Sequence, residues 1–279
     1  MKNTSMNIII FSKDRACQLD LLLNSMQKLF RENSHYEPIV LYTTSDVHYK
    51  YGYQQLKKQY KNVKFIKERN FKIDLINNID QDKEYTVFFV DDNVWKEPFS
   101  INSNQLLLMK EDPDILCLSL RLDPNLSYCY THNSKMKPPE FDQNLCWNWA
   151  GEEYDFGYPM SLDGHIFRTK EILPLISKLQ YTNPNSLEGK LSEVPLKNEK
   201  MMCLKKAPIF NLPINKVQKH NTNRHGNVSA KYLNERFLLG YRIALSPIIG
   251  FRNNACHQEV DIRLRKPLLN SIKNILRIS

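Results

Sequence analysis

The sequence contains no apolar run that approaches the ~20 residues required by a membrane-spanning helix. Residues 1–6 are polar and lack the apolar core of a secretory signal. We therefore expect a cytoplasmic protein. The composition, with 42% hydrophobic and 25% charged residues, is typical of a globular protein and excludes the disordered and fibrous classes.

Paired cysteine motifs are also missing. No CxxC and no metal-ligand spacing connects the six cysteines, which are scattered along the chain. This distribution excludes the common zinc-site patterns and favours free, buried thiols. The cysteines are Cys17, Cys117, Cys129, Cys146, Cys203 and Cys256.

Glycine is absent from the turn that follows the first predicted strand. Residues 12–15 are Ser-Lys-Asp-Arg, whereas a dinucleotide fingerprint or a P-loop needs glycines there so that the backbone can approach phosphate. Both motifs are excluded at this turn, so side chains must provide any nucleotide binding. The alternative is that Asp14 only caps the next helix while Lys13 and Arg15 are solvated, and both interpretations stay open.

Short apolar segments alternate with amphipathic segments in the first part of the chain. Residues 7–11 predict a buried strand, and apolar residues at helical spacing predict a helix over 15–30. Such alternation implies an α/β fold with a parallel sheet, whose ligands bind at the carboxyl ends of the strands. Further predicted strands are 38–42, 63–66, 86–90 and 114–120, with helices near 49–60 and 71–79.

The strongest local signal is a buried strand that stops at Asp91, Asp92 and Asn93. Clustered oxygen ligands suit Mg²⁺ or Mn²⁺, and such a cation neutralises a diphosphate. A nucleoside diphosphate leaves readily only when a cation meets its developing charge. The alternative is an ordinary polar turn after a strand; the position in the fourth strand–helix unit favours a functional role.

Three later segments contain candidate acceptor or catalytic residues. The long loop over 125–153 is rich in aromatic residues, including Trp147 and Trp149, which suit sugar surfaces as well as packing. Asp163 and His165 could face a substrate or form a structural pair. Glu188 is a candidate general base, although Asn185 followed by Glu188 also resembles a capping box that starts a helix.

The formal net charge of +9 predicts an anionic partner, which could be nucleic acid, phosphorylated metabolites or a membrane surface. Basic residues at 263–266, followed by apolar residues at helical spacing, predict an amphipathic C-terminal helix. Such a segment can lie on an anionic membrane, although packing against the parent domain is the commoner outcome.

Taken together, these motifs resemble GT-A glycosyltransferases of the family 2 type. The resemblance covers roughly the first 220 residues and rests on the order of the strand 7–11, the turn 12–15 and the segments 90–93, 163–168 and 187–188. It implies a mixed, mainly parallel central sheet flanked by helices. It also implies one catalytic domain over 1–262, with a nucleotide-sugar half of about 1–122 and an acceptor half of about 123–262, followed by a tail over 263–279.

The resemblance further implies roles for single residues. In this family an aspartate motif binds Mn²⁺ or Mg²⁺ and the donor diphosphate, and a later carboxylate deprotonates the acceptor in an inverting reaction. Asn93 departs from the usual acidic residue, and the later motif lacks its full Glu-Asp pair. The implied roles are metal binding for Asp91, Asn93 and His220, with His257 in reserve; donor binding for Phe11, Ser12, Asp14, Arg15, Lys72 and Asp92; acceptor binding for Trp147, Trp149, Asp163 and His165; and catalysis for Glu188.

We therefore expect an enzyme that moves a sugar from a nucleotide-diphosphate donor to a glycan, lipid-linked or protein acceptor. Family habits suggest surface glycan or lipopolysaccharide assembly at the inner face of the membrane. A sugar-phosphate nucleotidyltransferase is an alternative, but the first loop lacks its glycine-rich basic character. A non-enzymatic nucleic-acid binder is another, but no motif concentrates Lys and Arg on one element.

Overall fold

The computed structural model describes residues 5–101, 104–217 and 224–266, and its helices and strands alternate along the chain. The strands are β1 (Met6–Lys13), β2 (Ile39–Thr43), β3 (Lys64–Lys67), β4 (Tyr85–Val90), β5 (Asn93–Trp95), β6 (Ile115–Ser119), β7 (Tyr128–Cys129), β8 (Ser134–Lys135), β9 (Cys146–Asn148), β10 (His165–Arg168), β11 (Lys200–Cys203), β12 (Ile209–Asn211), β13 (Arg242–Ile243) and β14 (Leu264–Arg265). The helices are α1 (Ala16–Leu29), α2 (Val47–Gln59), α3 (Phe71–Ile76), α4 (Asn104–Glu111), α5 (Thr169–Lys178), α6 (Pro184–Ser192) and α7 (Ala230–Leu238).

Eight of these strands form the central sheet, in the order β3-β2-β1-β4-β10-β6-β11-β9. The first four are parallel to one another, and β6 and β11 run in the same direction. Only β10 and β9 run the opposite way within this sheet. The predicted α/β architecture with a mixed, mainly parallel sheet is therefore confirmed, and it places the ends of β1, β2, β3 and β4 at one edge.

The alternation of side chains along β1 divides the core into two layers. Ile8 and Ile10 pack into the layer that contains α1, α2 and α7, whereas Ile9 and Phe11 pack into the layer that contains α3, α5 and α6. Because successive strand residues point to opposite faces, an uninterrupted apolar run is needed to fill both layers. This requirement explains the apolar segment over 7–11.

The predicted elements match the first half of the fold more closely than the second. The helices expected over 15–30, 49–60 and 71–79 correspond to α1, α2 and α3. Residues 159–168 predict a turn that enters a strand, but not that this strand, β10, lies antiparallel between β4 and β6. The amphipathic helix expected from residue 263 does not begin there, because Leu264–Arg265 pairs with Arg242–Ile243 as a strand. The rest of that prediction, residues 267–279, lies outside the described part.

The six cysteines are all buried and free, as expected. Within the described ranges, no helix is both long and apolar enough to cross a membrane.

Gly164 lies between Asp163 and the start of β10 and has a φ of 75°, a conformation that favours glycine. A Cβ at this position would lie 2.3 Å from Cδ1 of Ile209. We expect Gly164→Ala to lower the free energy of unfolding by about 1–3 kcal/mol, measured by urea denaturation. Gly189→Ala is the matched control, because no atom lies within 4 Å of its added Cβ; equal losses in both variants would contradict this account.

Candidate functional site

The turn after β1 and the end of β4 lie side by side, because Phe11 and Val90 are paired across the two parallel strands. Asp91 is buried at this edge. Its Oδ2 accepts hydrogen bonds from Ser12 Oγ (2.9 Å) and Lys13 N (3.0 Å), and its Oδ1 lies 2.9 Å from Arg15 Nη1. Both oxygens of Asp91 are therefore held by groups of the protein, which does not fit its expected role as a metal ligand.

Arg15 is the cationic centre of this edge. Its Nη1 faces Asp91 and lies 3.4 Å from Asp92 Oδ2, while its Nε donates to Asn215 Oδ1 (3.0 Å) and its Nη2 to the Asn215 carbonyl. Burial acts to lower the pKa of Arg15, but Asp91 and Asp92 outweigh it and raise that pKa. The alternative that Arg15 is solvated is wrong, because its side chain is only 11% exposed.

Asp14 does not cap α1. The residue at the N-cap position is Arg15, and no side chain caps the helix. Asp14 instead adopts a φ of 57°, and its Oδ1 accepts a hydrogen bond from Ser45 N at 2.7 Å. It therefore ties the turn after β1 to the segment after β2.

A recess of about 670 Å³ lies beside these turns, at the end of β3. Lys67, Glu68, Arg69 and Asp74 contribute to its lining. Burial, together with Asp74, raises the pKa of Glu68 to about 7, and Lys13 acts against this shift. The recess is thus lined by an apolar side chain, carboxylates and cations. It lies at the edge of the sheet where ligands bind in parallel sheets.

Asn93 lies in the interior rather than at an open cleft. Its Oδ1 accepts from Val90 N (2.9 Å), and its Nδ2 donates to Asp163 Oδ1 (2.6 Å). The side chain is 1% exposed. Asn93 therefore shapes the turn between β4 and β5 and orients Asp163, which does not fit metal ligation.

Asp92 and Asp163 converge on one amide group. Nδ2 of Asn211, at the end of β12, donates to Asp92 Oδ1 (3.1 Å) and to Asp163 Oδ2 (2.7 Å). Nε2 of His257 lies 3.7 Å from the same oxygen of Asp163. Oδ1 of Asn211 is buried and has no hydrogen-bond partner among the described residues. The structure thus joins two predicted residues, Asp92 and Asp163, with the reserve histidine and an asparagine that sequence reasoning missed.

No group of three or more His, Cys, Asp or Glu in the described ranges is arranged to hold a metal ion by itself. Asp92 is the acidic residue of the 91–93 motif whose side chain is most accessible, at 17%. His220 lies outside the described residues. Among the described residues, this edge therefore offers a carboxylate and an imidazole, but not a complete ligand set.

Arg121 is a further residue that sequence reasoning missed. It follows β6 at the same edge, and its buried guanidinium lies 3.4 Å from Asp163 and 3.4 Å from Asp155. Burial acts to lower its pKa, but the surrounding acidic groups raise it. A charged residue directly after a buried strand was the available signal.

Glu188 lies partly buried on α6, close to Asp163. Its Oε1 accepts hydrogen bonds from Ser161 Oγ and Leu162 N, both at 2.9 Å. Burial raises the pKa of Glu188, although these hydrogen bonds and Arg121 act in the opposite direction. The capping box at the start of α6 exists, but Asn183 and Ser186 form it. Glu188 is therefore free of the capping role that the sequence suggested.

Two other predicted donor-binding residues, Phe11 and Lys72, have side chains that are engaged elsewhere. Phe11 packs in the core against Phe71 and Phe88, so any ligand contact it makes comes from its backbone. Lys72 donates to the carbonyl of Leu179 at 2.7 Å rather than facing the recess.

The two tryptophans and His165 do not line a cleft as expected. Trp147 is buried against Phe156, whose carbonyl accepts its indole N–H at 3.0 Å. Trp149 donates to the carbonyl of Asn198 at 2.9 Å and is partly buried. His165 is fully buried, and burial lowers its pKa to about 3. These side chains stabilise the layer around β9 and β10.

Known proteins with similar sequence are glycosyltransferases. The chain is 33% identical over 196 residues to the bifunctional glycosyltransferase pgtA of Dictyostelium discoideum, an alignment that covers 63% of this chain and 25% of the relative. The chain thus spans about a quarter of that relative's length. This sequence similarity confirms the predicted resemblance to glycosyltransferases. No family model matches the chain.

Solved glycosyltransferase structures resemble the chain more distantly. S. aureus TarS 1-349 shares 14% identity with a TM-score of 0.48, covering 74% of this chain and 60% of that one. Its complex with UDP-GlcNAc has the same identity and TM-score, with 84% and 65% covered. The Pyrobaculum calidifontis mannosyltransferase PcManGT, in complex with GDP-Man and Mn²⁺, shares 8% identity with a TM-score of 0.43, covering 73% and 55%.

Proposed function

We propose that the protein is a glycosyltransferase that moves a sugar from a nucleotide-diphosphate donor to an acceptor hydroxyl. The observation that carries this proposal is the link between Asp92 and Asp163 through the Asn211 amide, with Glu188 bonded to Leu162 beside Asp163, at the carboxyl edge of a mainly parallel sheet. The recess at the end of β3 lies farther along the same edge. The identity to a bifunctional glycosyltransferase supports the same reaction class.

The recess at the end of β3 suits the nucleoside of the donor. Lys67 and Arg69 line it and are exposed, and the exposed Lys13 acts on Glu68 of the lining; these cations provide positive charge for a diphosphate. From there the diphosphate reaches Asp92 along the turn after β1. Asp14 and Ser12 hold this turn in place through Ser45 and Asp91. Their contribution to donor binding is thus to fix the backbone.

A divalent cation fits this edge as an ion shared between protein and donor. Mg²⁺ is commonly bound through one or two carboxylates plus substrate phosphates, so a complete protein ligand set is not required. Asp92 would hold it, with His257 as the nearby imidazole, and the unpartnered Asn211 Oδ1 offers a further oxygen. When bound, Mn²⁺ or Mg²⁺ neutralises the charge that develops on the departing diphosphate.

Glu188 is the proposed general base of an inverting, single displacement. The acceptor oxygen forms a bond to the anomeric carbon while the bond from that carbon to the diphosphate oxygen breaks. The bonding electron pair leaves with the nucleoside diphosphate, and the hydroxyl proton passes to the Glu188 carboxylate. The hydrogen bonds from Ser161 and Leu162 hold one oxygen of Glu188 and fix its orientation.

The pH dependence of the reaction follows from the raised pKa of Glu188. The base must be ionised, so activity is lost as the pH falls through its raised pKa. We expect the acid limb of the kcat/KM profile to have its midpoint above the ~4.3 of an ordinary glutamate. Activity that is maintained unchanged down to that value would argue against Glu188 as the base.

Incubation with a panel of nucleotide sugars and Mn²⁺, with release of nucleoside diphosphate as the readout, tests the proposal. Turnover of at least one donor is the expected result. A parallel incubation with nucleoside triphosphates and sugar 1-phosphates separates the alternatives, because a nucleotidyltransferase would release pyrophosphate from that pair and no nucleoside diphosphate from nucleotide sugars, and a nucleic-acid binder would release neither. Absence of both turnover and binding of any nucleotide sugar would remove the transferase assignment.

Assembly of surface glycan or lipopolysaccharide at the inner face of the membrane is the biological setting we propose. The net charge of +9 and the basic residues at 263–266 support attraction to anionic lipid. Co-sedimentation with vesicles that contain anionic lipid, compared with neutral vesicles, measures this association.

A further inference from the structure

Beside the carboxylate edge lies another recess, which we name the tyrosine pocket. It has a volume of about 340 Å³, and its lining includes Tyr128, Tyr130, Arg224, Asn254, His257 and Gln258. We propose that the tyrosine pocket binds the acceptor as a sugar ring and presents one of its hydroxyls to the reaction centre. This inference rests on the proposed function and identifies the chemical class of its second substrate.

His257 places the tyrosine pocket next to the reaction centre. It is a lining residue of the pocket, and its Nε2 lies 3.7 Å from Asp163 Oδ2. The neighbouring backbone is fixed to β12, since Asn211 N donates to the Cys256 carbonyl (2.8 Å) and Gln258 N donates to the Asn211 carbonyl (2.9 Å). The same Asn211 contacts Asp92 and Asp163 with its amide. The pocket is therefore held at a fixed position relative to the donor side.

Asp163 also connects the tyrosine pocket to the proposed base. The preceding residue, Leu162, donates its backbone N–H to Glu188 at 2.9 Å. The side chain of Asp163 thus lies next to His257, which lines the tyrosine pocket. The backbone just before Asp163 bonds to Glu188. An acceptor that occupies the pocket is therefore connected through His257 and Asp163 to the segment that holds Glu188.

The lining of the tyrosine pocket suits a sugar ring. Tyr128, which is partly buried, offers aromatic surface for the C–H groups of a pyranose, whereas Tyr130 is buried beneath Arg224. Arg224 lies over the Tyr130 ring, 4.6 Å from its centre, and its Nη1 donates to Tyr128 Oη at 3.0 Å and Asn133 Oδ1 at 2.7 Å. These bonds orient a guanidinium at the pocket, where it can donate to ring hydroxyls.

Charge distinguishes the tyrosine pocket from the donor recess. Glu259 lines the tyrosine pocket and accepts a hydrogen bond from the Tyr130 hydroxyl, so a carboxylate balances Arg224 there. A neutral, hydroxyl-rich ligand fits such a lining better than a diphosphate does. The recess at the end of β3 also has carboxylates, Glu68 and Asp74, but three cations lie in or beside it, namely Lys67, Arg69 and Lys13, and this positive excess suits the donor. The two recesses therefore take different substrates.

Direct binding of sugars provides the test. A panel of methyl glycosides is titrated into the full chain with a nucleoside diphosphate present, and ligand-observed NMR detects binding. We expect at least one glycoside to bind, and Arg224→Gln to weaken it about tenfold or more, since loss of a charged hydrogen bond costs about 1.5–3 kcal/mol. Gln258→Ala, at a second lining position, should weaken the same glycoside.

The matched control is Arg31→Gln, an exposed arginine after α1 whose backbone N–H bonds to Phe99 at the opposite edge of the sheet. It should bind the glycoside like the wild type. In a transfer assay, Arg224→Gln should raise the acceptor KM and leave the donor KM unchanged, with most of the lost rate recovered at saturating acceptor. No binding by any glycoside, or equal binding by wild type, Arg224→Gln and Gln258→Ala, would overturn the proposal. Glycoside binding without nucleotide-sugar turnover would instead count against the proposed transferase reaction while supporting a sugar-binding pocket.

Discussion

Glu188→Gln is expected to lower kcat for sugar transfer by about 10²–10⁴-fold, the usual contribution of a general base. Glutamine retains the acceptor oxygen that Ser161 and Leu162 bond, so the fold around α6 is preserved. It cannot take the proton of the acceptor hydroxyl. Donor binding should be unchanged, because the donor recess at the end of β3 is formed by other residues.

The matched control for this variant is Glu193→Gln. Glu193 follows α6, is exposed, and pairs only with Lys190 among its described ion-pair partners. It should transfer sugar at the wild-type rate. Single-turnover rates measured at saturating donor and acceptor separate chemistry from binding. A Glu188→Gln enzyme with wild-type kcat would assign the base to another residue.

Arg15→Met is expected to reduce the free energy of unfolding by about 3–5 kcal/mol. The buried Asp91 carboxylate would lose its guanidinium partner, and the link to Asn215 would be lost with it. A charge that remains buried without a partner is far costlier than the pair itself is stabilising. Urea denaturation of the variant and the wild type measures the loss.

A double-mutant cycle identifies the cause of this loss. Asp91→Asn combined with Arg15→Met should recover part of the stability, because the unpartnered charge has been removed. A loss of less than about 1 kcal/mol in Arg15→Met would match an exposed ion pair and contradict the buried arrangement.

The first half of the sheet could be predicted because its strands are short, mostly apolar segments, and the first three are each followed by a helix. The position of Asp91 and Asp92 followed from the same pattern, since carboxyl ends of parallel strands share an edge. The antiparallel β10 could not be predicted in this way. The strand is short, covering residues 165–168, and its position between β4 and β6 is set by pairing with both neighbours.

The remaining site residues depend on contacts between distant segments. Asn211 contacts Asp163 because β12 pairs with β5. His257 contacts Asp163 because it forms a β-bridge with Asn211. Arg121 is defined by its contacts with Asp155 and Asp163 rather than by a motif. Trp147 was expected to line a cleft and is buried instead. Aromatic residues occur in cores and in cleft walls alike, so composition alone does not distinguish the two. The roles of Asp91 and Asn93 depended on which oxygens were already hydrogen-bonded, which sequence does not specify.

We propose that the donor diphosphate binds beside Asp92, with its anomeric carbon towards Glu188. The most direct measurement is a crystal structure of the protein with a nucleotide sugar and Mn²⁺. We predict phosphate oxygens and the cation at the Asp92 carboxylate, the nucleoside in the recess at the end of β3, and the sugar between Asp163 and Glu188. A donor bound elsewhere, with Asp92 and Glu188 making no contact to it or to the cation, would contradict the account.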